Sequence, residues 1–491
     1  MKHAEKTAFF IKEKSYSYKE LGGYVAGIQS VITNFTRGKE PIAVLTEDTI
    51  ETYASVMAIW FNGNVFLPVS TRNPKDRNDD ILDQANANIV LSSVENPEKH
   101  IMTGNRTIIN TRGKYSPEKE IIRKKTTRND LLYILFTSGS SGKPKGVQLN
   151  VNNLDSFIHD FANLGYQFTE KDRFLQIYDL TFDASLHCYA LPLCFGASVY
   201  TVPQDSVKYM HAYKLMKKHD ITFAKMPPST ITYLKSYFDS IRLEKLKFCL
   251  FGGEALDAKL VKSWRKCVPN AKIQNVYGPT EVTINCLAFD IPENIAEGNK
   301  VFNGIISIGK PFGNSKIMIC DENNNPMQEG EKGELCVAGS QVSPGYLNNE
   351  MLNKEAFFMK ETTSGLQRYY KTGDLVFKDK DGDLYYCGRI DNQAQVQGFR
   401  VEMGEIEFHA RNFTGIHNLA ALPHEDKEGN TLIYLFLENS SSNNSEVANY
   451  LKQKLPAYMQ PAKIFNVDEI PKGTSGKLDA RQLLQVIKQN E

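Results

Sequence analysis

The chain of 491 residues has 58 lysine and arginine side chains against 57 aspartate and glutamate side chains, which gives a formal net charge of +1. Such a balance argues against nucleic acid or an anionic membrane surface as the main partner. The length exceeds that of one ordinary domain, so we expect two or more domains.

The cysteines and the N-terminal segment indicate the compartment. The eight cysteines show no Cys-x-x-Cys spacing, so neither a zinc site nor a disulfide framework is predicted, and reduced thiols are typical of cytoplasmic proteins. The N-terminal segment Met-Lys-His-Ala-Glu-Lys lacks an apolar signal core, and no apolar run approaches the length of a membrane span. We therefore expect a soluble, cytoplasmic protein.

Short apolar strands alternate with amphipathic helices from the start of the chain onward. A strand is predicted at 41–45, a helix follows because Ile50, Tyr53, Met57 and Trp60 recur at helical spacing, and a second strand is predicted at 65–69. This βαβ alternation recurs with strands at 197–202, 221–226, 247–251 and 272–277 and with a helix at 231–238. The pattern predicts a layered α/β architecture whose functional loops follow the carboxyl ends of the strands.

A loop rich in glycine and hydroxyl groups follows the apolar run 131–136 and reads Thr-Ser-Gly-Ser-Ser-Gly-Lys-Pro-Lys-Gly. Glycines let backbone N–H groups approach an anion, hydroxyls donate hydrogen bonds and lysines supply charge, so the loop is typical of a phosphate site. Only two residues separate Gly139 from Gly142, which excludes a Walker A loop. A flexible surface turn is the alternative. The candidate phosphate-binding residues are Thr137, Ser138, Gly139, Ser140, Ser141, Gly142, Lys143 and Lys145.

Further candidate loops follow later in the chain. Tyr277-Gly-Pro-Thr-Glu281 comes after a predicted strand and combines an aromatic ring, a tight turn, a hydroxyl and a carboxylate. Lys371-Thr-Gly-Asp374, Gly388-Arg-Ile-Asp391 and Gly476-Lys477 come next. After about residue 300 the shorter strands and turns predict a β-rich subdomain, and the last hundred or so residues are expected to form a separate unit.

These motifs, in this order, resemble those of the adenylate-forming superfamily, and within it the amino-acid adenylation domains of nonribosomal peptide synthetases and the D-alanine:carrier-protein ligases. The resemblance extends from about residue 6 to residue 484. It implies a large N-terminal domain (1–390) of layered α/β subdomains plus a β-rich subdomain, a hinge at Asp391, and a small mobile α/β lid (391–491). It also implies two half-reactions. A carboxylate and ATP give an acyl-adenylate and pyrophosphate, and a phosphopantetheine thiol then displaces AMP.

The resemblance assigns roles residue by residue. The loop from Thr137 would hold the β- and γ-phosphates, Thr280 would contact the α-phosphate, and Glu281 would help to bind Mg²⁺, a hard cation that prefers oxygen ligands. Asp374 would accept the ribose hydroxyls beside Arg389, and Lys477 would be the lid lysine that offsets charge in the transition state. The other nucleotide contacts would be Gly253, Glu254, Ala255, Asn275, Tyr277 and Gly278. The predicted catalytic residues are thus Thr280, Glu281 and Lys477, with ATP and Mg²⁺ as cofactors.

Asp183 indicates an amino-acid substrate, because the matching aspartate of the amino-acid-activating branch pairs with the substrate α-ammonium. The alternative is that Asp183 only caps a helix through 186–193, since aspartate is a good N-cap. The other pocket positions would be Ala184, His187, Lys225, Leu250, Gly252, Val276, Ile284 and Asn285. A buried lysine is costly unless an anion meets it, so Lys225 with His187 and Asn285 predicts an acidic or amide side chain, as in aspartate or asparagine.

Three alternatives stay open. If Lys225 snorkels or pairs with a protein carboxylate, the substrate would be D-alanine or another small neutral amino acid. The chain could instead be an acid:CoA ligase, or a degenerate homologue that binds nucleotide and acts as a regulatory protein. Gln395 and Gln397 stand where relatives usually carry a basic residue, so adenylation is better supported than thioester formation. The chain ends soon after Lys477 without a carrier module, so we expect a phosphopantetheinylated carrier protein to act in trans.

Overall fold

The computed structural model describes residues 3–36, 38–139, 142–296, 299–363, 365–391, 393–426, 429–440, 442–471, 478 and 482–483. Its α-helices are α1 (Tyr18–Ile32), α2 (Ile50–Phe61), α3 (Lys75–Gln84), α4 (Val151–Ala162), α5 (Ala184–Cys194), α6 (Lys208–Lys218), α7 (Pro228–Leu234), α8 (Ala258–Trp264), α9 (Glu350–Ala356), α10 (Met403–Thr414) and α11 (Asn444–Lys454).

The strands of the same described residues are β1 (Thr7–Ile11), β2 (Lys14–Ser17), β3 (Pro41–Thr46), β4 (Val65–Ser70), β5 (Ile89–Ser92), β6 (Thr107–Asn110), β7 (Leu131–Thr137), β8 (Lys145–Asn150), β9 (Arg173–Gln176), β10 (Ser198–Thr201), β11 (Phe223–Met226), β12 (Phe248–Phe251), β13 (Lys272–Tyr277), β14 (Leu287–Asp290), β15 (Val301–Phe302), β16 (Ile305–Ile306), β17 (Lys310–Pro311), β18 (Lys316–Cys320), β19 (Gly333–Ala338), β20 (Gly345–Tyr346), β21 (Phe357–Thr362), β22 (Gly365–Lys378), β23 (Leu384–Arg389), β24 (Gln393–Val396), β25 (Phe399–Glu402), β26 (Leu419–Glu425), β27 (Thr431–Glu438) and β28 (Lys463–Val467).

The largest sheet has the strand order β17-β14-β13-β12-β11-β9-β10-β1-β2. The strands from β13 to β1 in this order run parallel. Alternate residues supply two apolar clusters, with Phe223 in one and Met226 in the other, so both faces of the sheet are buried as expected for parallel strands. The loops after β11, β12 and β13 begin at the same edge, at Pro227, Gly252 and Gly278. That edge is the expected place for a ligand.

A second sheet has the order β20-β8-β7-β4-β3-β5-β6. Strands β6, β5, β3, β4 and β7 are parallel, and α2 connects β3 to β4 after a capping hydrogen bond from Thr52 N–H to the Thr49 side chain. Strands β7 and β8 form an antiparallel hairpin. The turn of this hairpin is the candidate phosphate loop, so the loop joins two strands rather than a strand and a helix.

The β-rich part is an antiparallel sheet in the order β18-β19-β22-β21, with β23 paired to β22. Asp374 on β22 lies directly opposite Arg389 on β23. The sequence separates these two residues by a turn at 379–382. The antiparallel register therefore brings the candidate motifs 371–374 and 388–391 together.

The C-terminal residues form a hairpin, β24–β25, followed by the three-stranded sheet β26-β27-β28 with α10 and α11. They have their own apolar cluster, which includes Val401, Ile406, Leu435 and Leu451. The division into domains at 390/391 stays a prediction, and this separate cluster is the observation that supports it. Among the described residues, none of the helices is both long and apolar enough to cross a membrane.

The layered α/β fold class is confirmed, and most predicted elements lie within a few residues of the observed ones. Strand β13 has the predicted bounds, and β11 begins two residues later than predicted. The helix predicted at 231–238 is instead the short helix α7 followed by a 3₁₀ helix, Lys235–Ser240. It begins earlier because Pro228 suits the first turn of a helix, where no N–H is needed.

Candidate active site

The candidate phosphate loop is tightly packed. A side chain at Gly139 would bring its Cβ to 2.2 Å from the Lys143 carbonyl oxygen, so only glycine fits there. Gly142 has φ +82°, and a Cβ there would lie 2.1 Å from the ring of Phe408 on α10. Lys143 is exposed, whereas Lys145 is partly buried. Ser140 and Ser141 lie outside the described residues.

Glu281 is a fully buried carboxylate of the candidate site, with no exposed surface. It lies in a 3₁₀ turn, Thr280–Val282, that follows β13. The Tyr346 hydroxyl donates to its Oε1 over 2.6 Å, and Arg400 Nη1 donates to its Oε2 over 2.9 Å. Burial alone would raise the pKa of Glu281, but Arg400 and Lys145 outweigh burial and lower it to about 2. The carboxylate therefore stays ionised and requires a cation beside it.

The candidate ribose site is built around Asp374. Arg389 Nη1 donates to its Oδ1 over 2.8 Å, and the Tyr277 hydroxyl donates to its Oδ2. Burial raises the pKa of Asp374, and Arg389 opposes this effect. Arg389 also donates to the predicted hinge residue Asp391, from Nε over 2.7 Å and from Nη2 over 2.6 Å. One arginine thus holds both carboxylates of this region.

The candidate adenine wall follows β12. A Cβ at Gly252 would lie 2.6 Å from the Val276 carbonyl oxygen, so glycine is required where these strands end. Glu254 accepts a hydrogen bond from Ser229 N–H over 2.7 Å. Asn275 donates to the Ser307 carbonyl oxygen over 3.0 Å, so its side chain supports the neighbouring backbone. Ala255, Gly253 and Gly278 complete this edge of the sheet.

The acyl pocket contains four polar side chains. Asp183 makes no capping hydrogen bond to α5, and its Oδ2 instead accepts from Ile284 N–H over 3.2 Å. Asp183 thus occupies the N-cap position of α5, but its side chain does not cap the helix. Lys225 Nζ donates to Asn285 Oδ1 over 2.7 Å. His187 is fully buried with both ring nitrogens unpartnered, and burial with the Lys225 charge holds its pKa well below the usual range.

The apolar residues around Lys225 come from the adjacent strands β12 and β13 and from the start of α5. Lys225 on β11 lies opposite Leu250 on β12, which lies opposite Gln274 on β13. Val276 follows Gln274 by two residues and so faces the same side of the sheet. Leu250 and Val276 are almost fully buried, and Ala184 is partly buried at the start of α5. The lysine therefore lies among apolar side chains, which lowers its pKa to about 8 through burial.

The pocket loop, residues 283–285, has an unusual backbone. Thr283 and Ile284 both have positive φ, +60° and +70°, a conformation that β-branched residues rarely adopt. The Gln341 side chain holds this loop, since its Nε2 lies 2.7 Å from the Asn285 carbonyl oxygen and 3.2 Å from that of Thr283. Gln341 is itself 2% exposed. The position of Asn285 thus depends on a glutamine from the β19–β20 connection.

The lid hairpin, β24–β25, lies against the candidate site. Gln397 and Gly398 form its turn with positive φ, +52° and +82°, as in the two-residue turns favoured by hairpins. Arg400 reaches Glu281 as described above, and Glu402 accepts from Lys145 Nζ over 3.1 Å. The Ser138 hydroxyl accepts from Glu402 N–H over 3.1 Å. The hairpin therefore contacts both the phosphate loop and the candidate metal ligand.

The first turn of α10 adds a second carboxylate to the phosphate loop. Glu405 Oε2 accepts from Gly139 N–H over 3.2 Å, and its Oε1 forms an ion pair with Arg77 on α3. Both members of this pair are buried, with 0% and 6% of the side chain exposed. Glu402 and Glu405 thus accept hydrogen bonds from the candidate phosphate loop. Arg400 donates to Glu281, the candidate metal ligand.

Hydrogen bonds join several of the predicted residues to one another, as in Asp374 with Tyr277 and Arg389, Asp183 with Ile284 and Lys225 with Asn285. Lys477 lies outside the described residues, so its role stays a prediction. Sequence reasoning missed Arg77, Gln341, Tyr346, Arg400, Glu402 and Glu405. The segment Gly398-Phe-Arg-Val-Glu-Met-Gly-Glu does carry a signal, because charged residues follow a hairpin turn at alternating positions. No comparable pattern marks Gln341.

Comparison with known proteins gives one family. A family model described as AMP-binding enzyme matches residues 1–347. Bacitracin synthase 2 of Bacillus licheniformis is 29% identical over 488 residues, which cover 98% of this chain and 18% of that protein. Zwittermicin A synthase ZmaJ of Bacillus cereus is 29% identical over 495 residues, which cover 98% of this chain and 92% of that protein. The chain thus spans less than a fifth of bacitracin synthase 2 and nearly all of ZmaJ.

Solved structures share the fold. The adenylation domain AlmE of Vibrio cholerae, in complex with glycyl-adenosine-5'-phosphate, superposes with a TM-score of 0.87 at 23% identity, covering 99% of this chain and 96% of that one. PA1221, an NRPS protein containing adenylation and PCP domains, superposes with a TM-score of 0.86 at 22% identity, covering 99% and 82%. Since the family model matches more than half of the chain, this protein belongs to the AMP-binding, adenylate-forming enzymes.

Proposed function

We propose that this protein is an AMP-forming ligase that uses ATP to convert an amino acid into aminoacyl-AMP and pyrophosphate. The aminoacyl group is then transferred to the phosphopantetheine thiol of a separate carrier protein. The amino acid has an acidic or amide side chain. Magnesium accompanies ATP, and the enzyme acts in the cytoplasm.

The position of Asp183 is the observation that carries the amino-acid assignment. Its carboxylate is not used to cap α5 and accepts a hydrogen bond from Ile284 N–H in the pocket loop. It lies close enough to the buried Lys225 that the lysine lowers its pKa, against the larger effect of burial, which raises it. A carboxylate held in a mostly apolar pocket is suited to an ammonium group, because an unpaired buried charge is costly.

In the first half-reaction the chain's residues bind and orient the two substrates. Asp374, with Tyr277 and Arg389, orients the ribose, while Gly139 N–H and Lys145 neutralise the phosphates. Asp183 fixes the α-ammonium, so that the α-carboxylate is directed towards the α-phosphate. Glu281 fits a divalent cation because it is a buried carboxylate that stays ionised. When bound, Mg²⁺ supplies positive charge that offsets the triphosphate, and Lys477 would act in the same sense.

The docked position of the lid hairpin supports a second half-reaction. In that step the lid would have a different orientation from the one used for adenylation. Arg400, Glu402 and Glu405 contact the residues assigned to the metal ion and phosphates. Pyrophosphate and the hairpin therefore compete for the same groups, and docking follows once pyrophosphate has left. Gln395 and Gln397 lie on this hairpin. A cationic side chain is thus not required at either position for the hairpin to dock.

The test is amino-acid-dependent exchange of pyrophosphate into ATP. We expect exchange with at least one amino acid, and loss of about 10² to 10³ in rate for Lys477→Ala, by analogy with the removal of one group that stabilises developing charge. Asp183→Asn is expected to raise the KM for the amino acid while the KM for ATP changes little. Exchange that is independent of added amino acid would contradict the proposal. Comparison of CoA with pantetheine-loaded carrier protein as acceptor tests the acid:CoA ligase alternative.

A further inference from the structure

The side-chain end of the acyl pocket holds a buried cation without a protein counter-ion. Lys225 is 2% exposed, and its Nζ donates to a neutral group, Asn285 Oδ1, over 2.7 Å. Within the part of the chain that the structure describes, Lys225 forms no salt bridge. Asp183 is the carboxylate whose charge acts on it, together with the thiol of Cys188. Burial raises the pKa of that thiol to about 12, so Cys188 supplies no negative charge.

In the proposed function, the charge of Asp183 is no longer available to balance that of Lys225. If Asp183 pairs with the substrate α-ammonium, and the substrate α-carboxylate is directed towards the α-phosphate, Lys225 is left as one unbalanced positive charge at the side-chain end of the pocket. A side-chain carboxylate on the amino acid restores neutrality inside the pocket. A side-chain amide, or the side chain of alanine, leaves the charge unbalanced, which is unfavourable where water is excluded.

The hydrogen-bonding capacity of Asn285 favours the same choice. Its carbonyl oxygen accepts from Lys225, and its NH₂ group can donate to a substrate. A carboxylate only accepts hydrogen bonds, and its two oxygens can accept from both Lys225 and Asn285. A substrate amide has one oxygen for these donors and brings two N–H donors of its own to the same end of the pocket.

His187 adds a polar side chain to the pocket but does not determine whether the pocket prefers a substrate acid or a substrate amide. Both ring nitrogens lack a hydrogen-bond partner although the residue is fully buried. Its pKa is held well below the usual range by burial and by the Lys225 charge, so the ring is neutral. A neutral imidazole offers one donor and one acceptor. The charge of Lys225 therefore sets the preference.

We propose that the acyl pocket selects a dicarboxylic amino acid, with its side-chain carboxylate on Lys225 and Asn285, over the corresponding amide and over small neutral amino acids. This inference rests on the proposed adenylation of an amino acid and narrows it to one class of side chain. Asp183 recognises what all amino acids share, and Lys225 recognises what distinguishes this class.

The experiment measures kcat/KM in ATP–pyrophosphate exchange for aspartate, asparagine, glutamate, glutamine and alanine, each as the L and D forms. For the wild type we expect one of the acids to exceed its own amide by about tenfold to 100-fold, the effect of one hydrogen bond to a charged group. Lys225→Met should abolish that preference. Asn285→Asp should reverse it, because a protein carboxylate then neutralises Lys225. Lys245→Met, an exposed lysine before β12, is the matched control and should retain the preference.

The outcomes separate this inference from the proposed function. Exchange with an amide or alanine, but not with either acid, would overturn this inference and leave adenylation intact. A carboxylate preference that survives in Lys225→Met would also overturn it. Exchange with no amino acid at all would overturn both. If Lys225→Met does not fold, the wild-type comparison of acid with amide and the Asn285→Asp reversal still decide the question.

Discussion

Replacement of Arg400 by methionine should separate the two half-reactions. Arg400 lies on the lid hairpin, and its Nη1 is 2.9 Å from Oε2 of Glu281. Glu281 is 0% exposed and the Arg400 side chain is 15% exposed, so the pair is buried. Breaking a buried pair by removing one partner costs about 3–5 kcal/mol, because the other charge is left uncompensated. This contact joins the lid to the core in the docked orientation, so the cost falls on that orientation.

We therefore expect Arg400→Met to slow aminoacyl transfer by roughly 200-fold to 5,000-fold, the rate equivalent of that free energy, while pyrophosphate exchange changes little. The first half-reaction is followed by ATP–pyrophosphate exchange. The second is followed by single-turnover transfer of labelled aminoacyl-AMP, formed on the enzyme, to saturating pantetheine. Both assays use the same enzyme preparation, so that a folding defect would lower both rates.

Arg128→Gln is the matched control. Arg128 pairs with Asp155 over 3.2 Å on the surface, with 75% and 58% of the side chains exposed. Pairs of this kind contribute little to stability, so neither half-reaction should change. The reasoning about Arg400 is refuted if Arg400→Met lowers exchange as much as transfer, because the arginine would then serve adenylation rather than lid docking.

Three further predictions concern the core of the site. Gln341→Leu removes the N–H donors that hold the pocket loop. The KM for the amino acid should therefore rise about tenfold to 100-fold, while the KM for ATP stays unchanged. Equal changes in both KM values in exchange kinetics would contradict a positioning role. Asp374→Asn should instead raise the KM for ATP by about the same factor and leave the KM for the amino acid unchanged. A change confined to the KM for the amino acid would count against the ribose assignment. Burial lowers the pKa of Lys225 to about 8. Because an ammonium group is charged below its pKa, Lys225 attracts a substrate carboxylate below about pH 8 and loses this attraction above it. The KM for the acid should therefore rise with pH through this range in the wild type, and a pH profile equally steep in Lys225→Met would assign the titration to another group.

The sheets and the loops at their edges were predictable from the sequence because local patterns determine them. Strand β13 contains the β-formers Ile273, Val276 and Tyr277 and is ended by Gly278 and Pro279, and its observed bounds, Lys272–Tyr277, are the predicted ones. The glycine-rich loop between β7 and β8 was located for the same reason. The helix at 231–238 was only partly predicted, since its periodicity continues where the backbone tightens into a 3₁₀ helix.

The missed residues depend on contacts between distant parts of the chain. Arg400 meets Glu281 across 119 positions and Glu405 meets Gly139 across 266, and both contacts depend on how the C-terminal residues pack against the rest of the chain. No periodicity or motif within a single segment indicates such packing. Gln341 was missed for another reason. It acts through backbone carbonyl groups, which every residue carries, so its partners leave no mark in the sequence.

The backbone of the pocket loop carries a conformational cost that glycine could not remove without a second cost. Thr283 and Ile284 hold φ values of +60° and +70°, and each such residue costs of the order of 1–3 kcal/mol. Glycine at position 284 would relieve that cost, but Ile284 is 2% exposed and belongs to the hydrophobic core, and loss of a buried isoleucine side chain costs about 2–5 kcal/mol. The packing of Ile284 thus offsets the strain of its own backbone, and the same side chain keeps the loop in the conformation that presents Asn285 to Lys225.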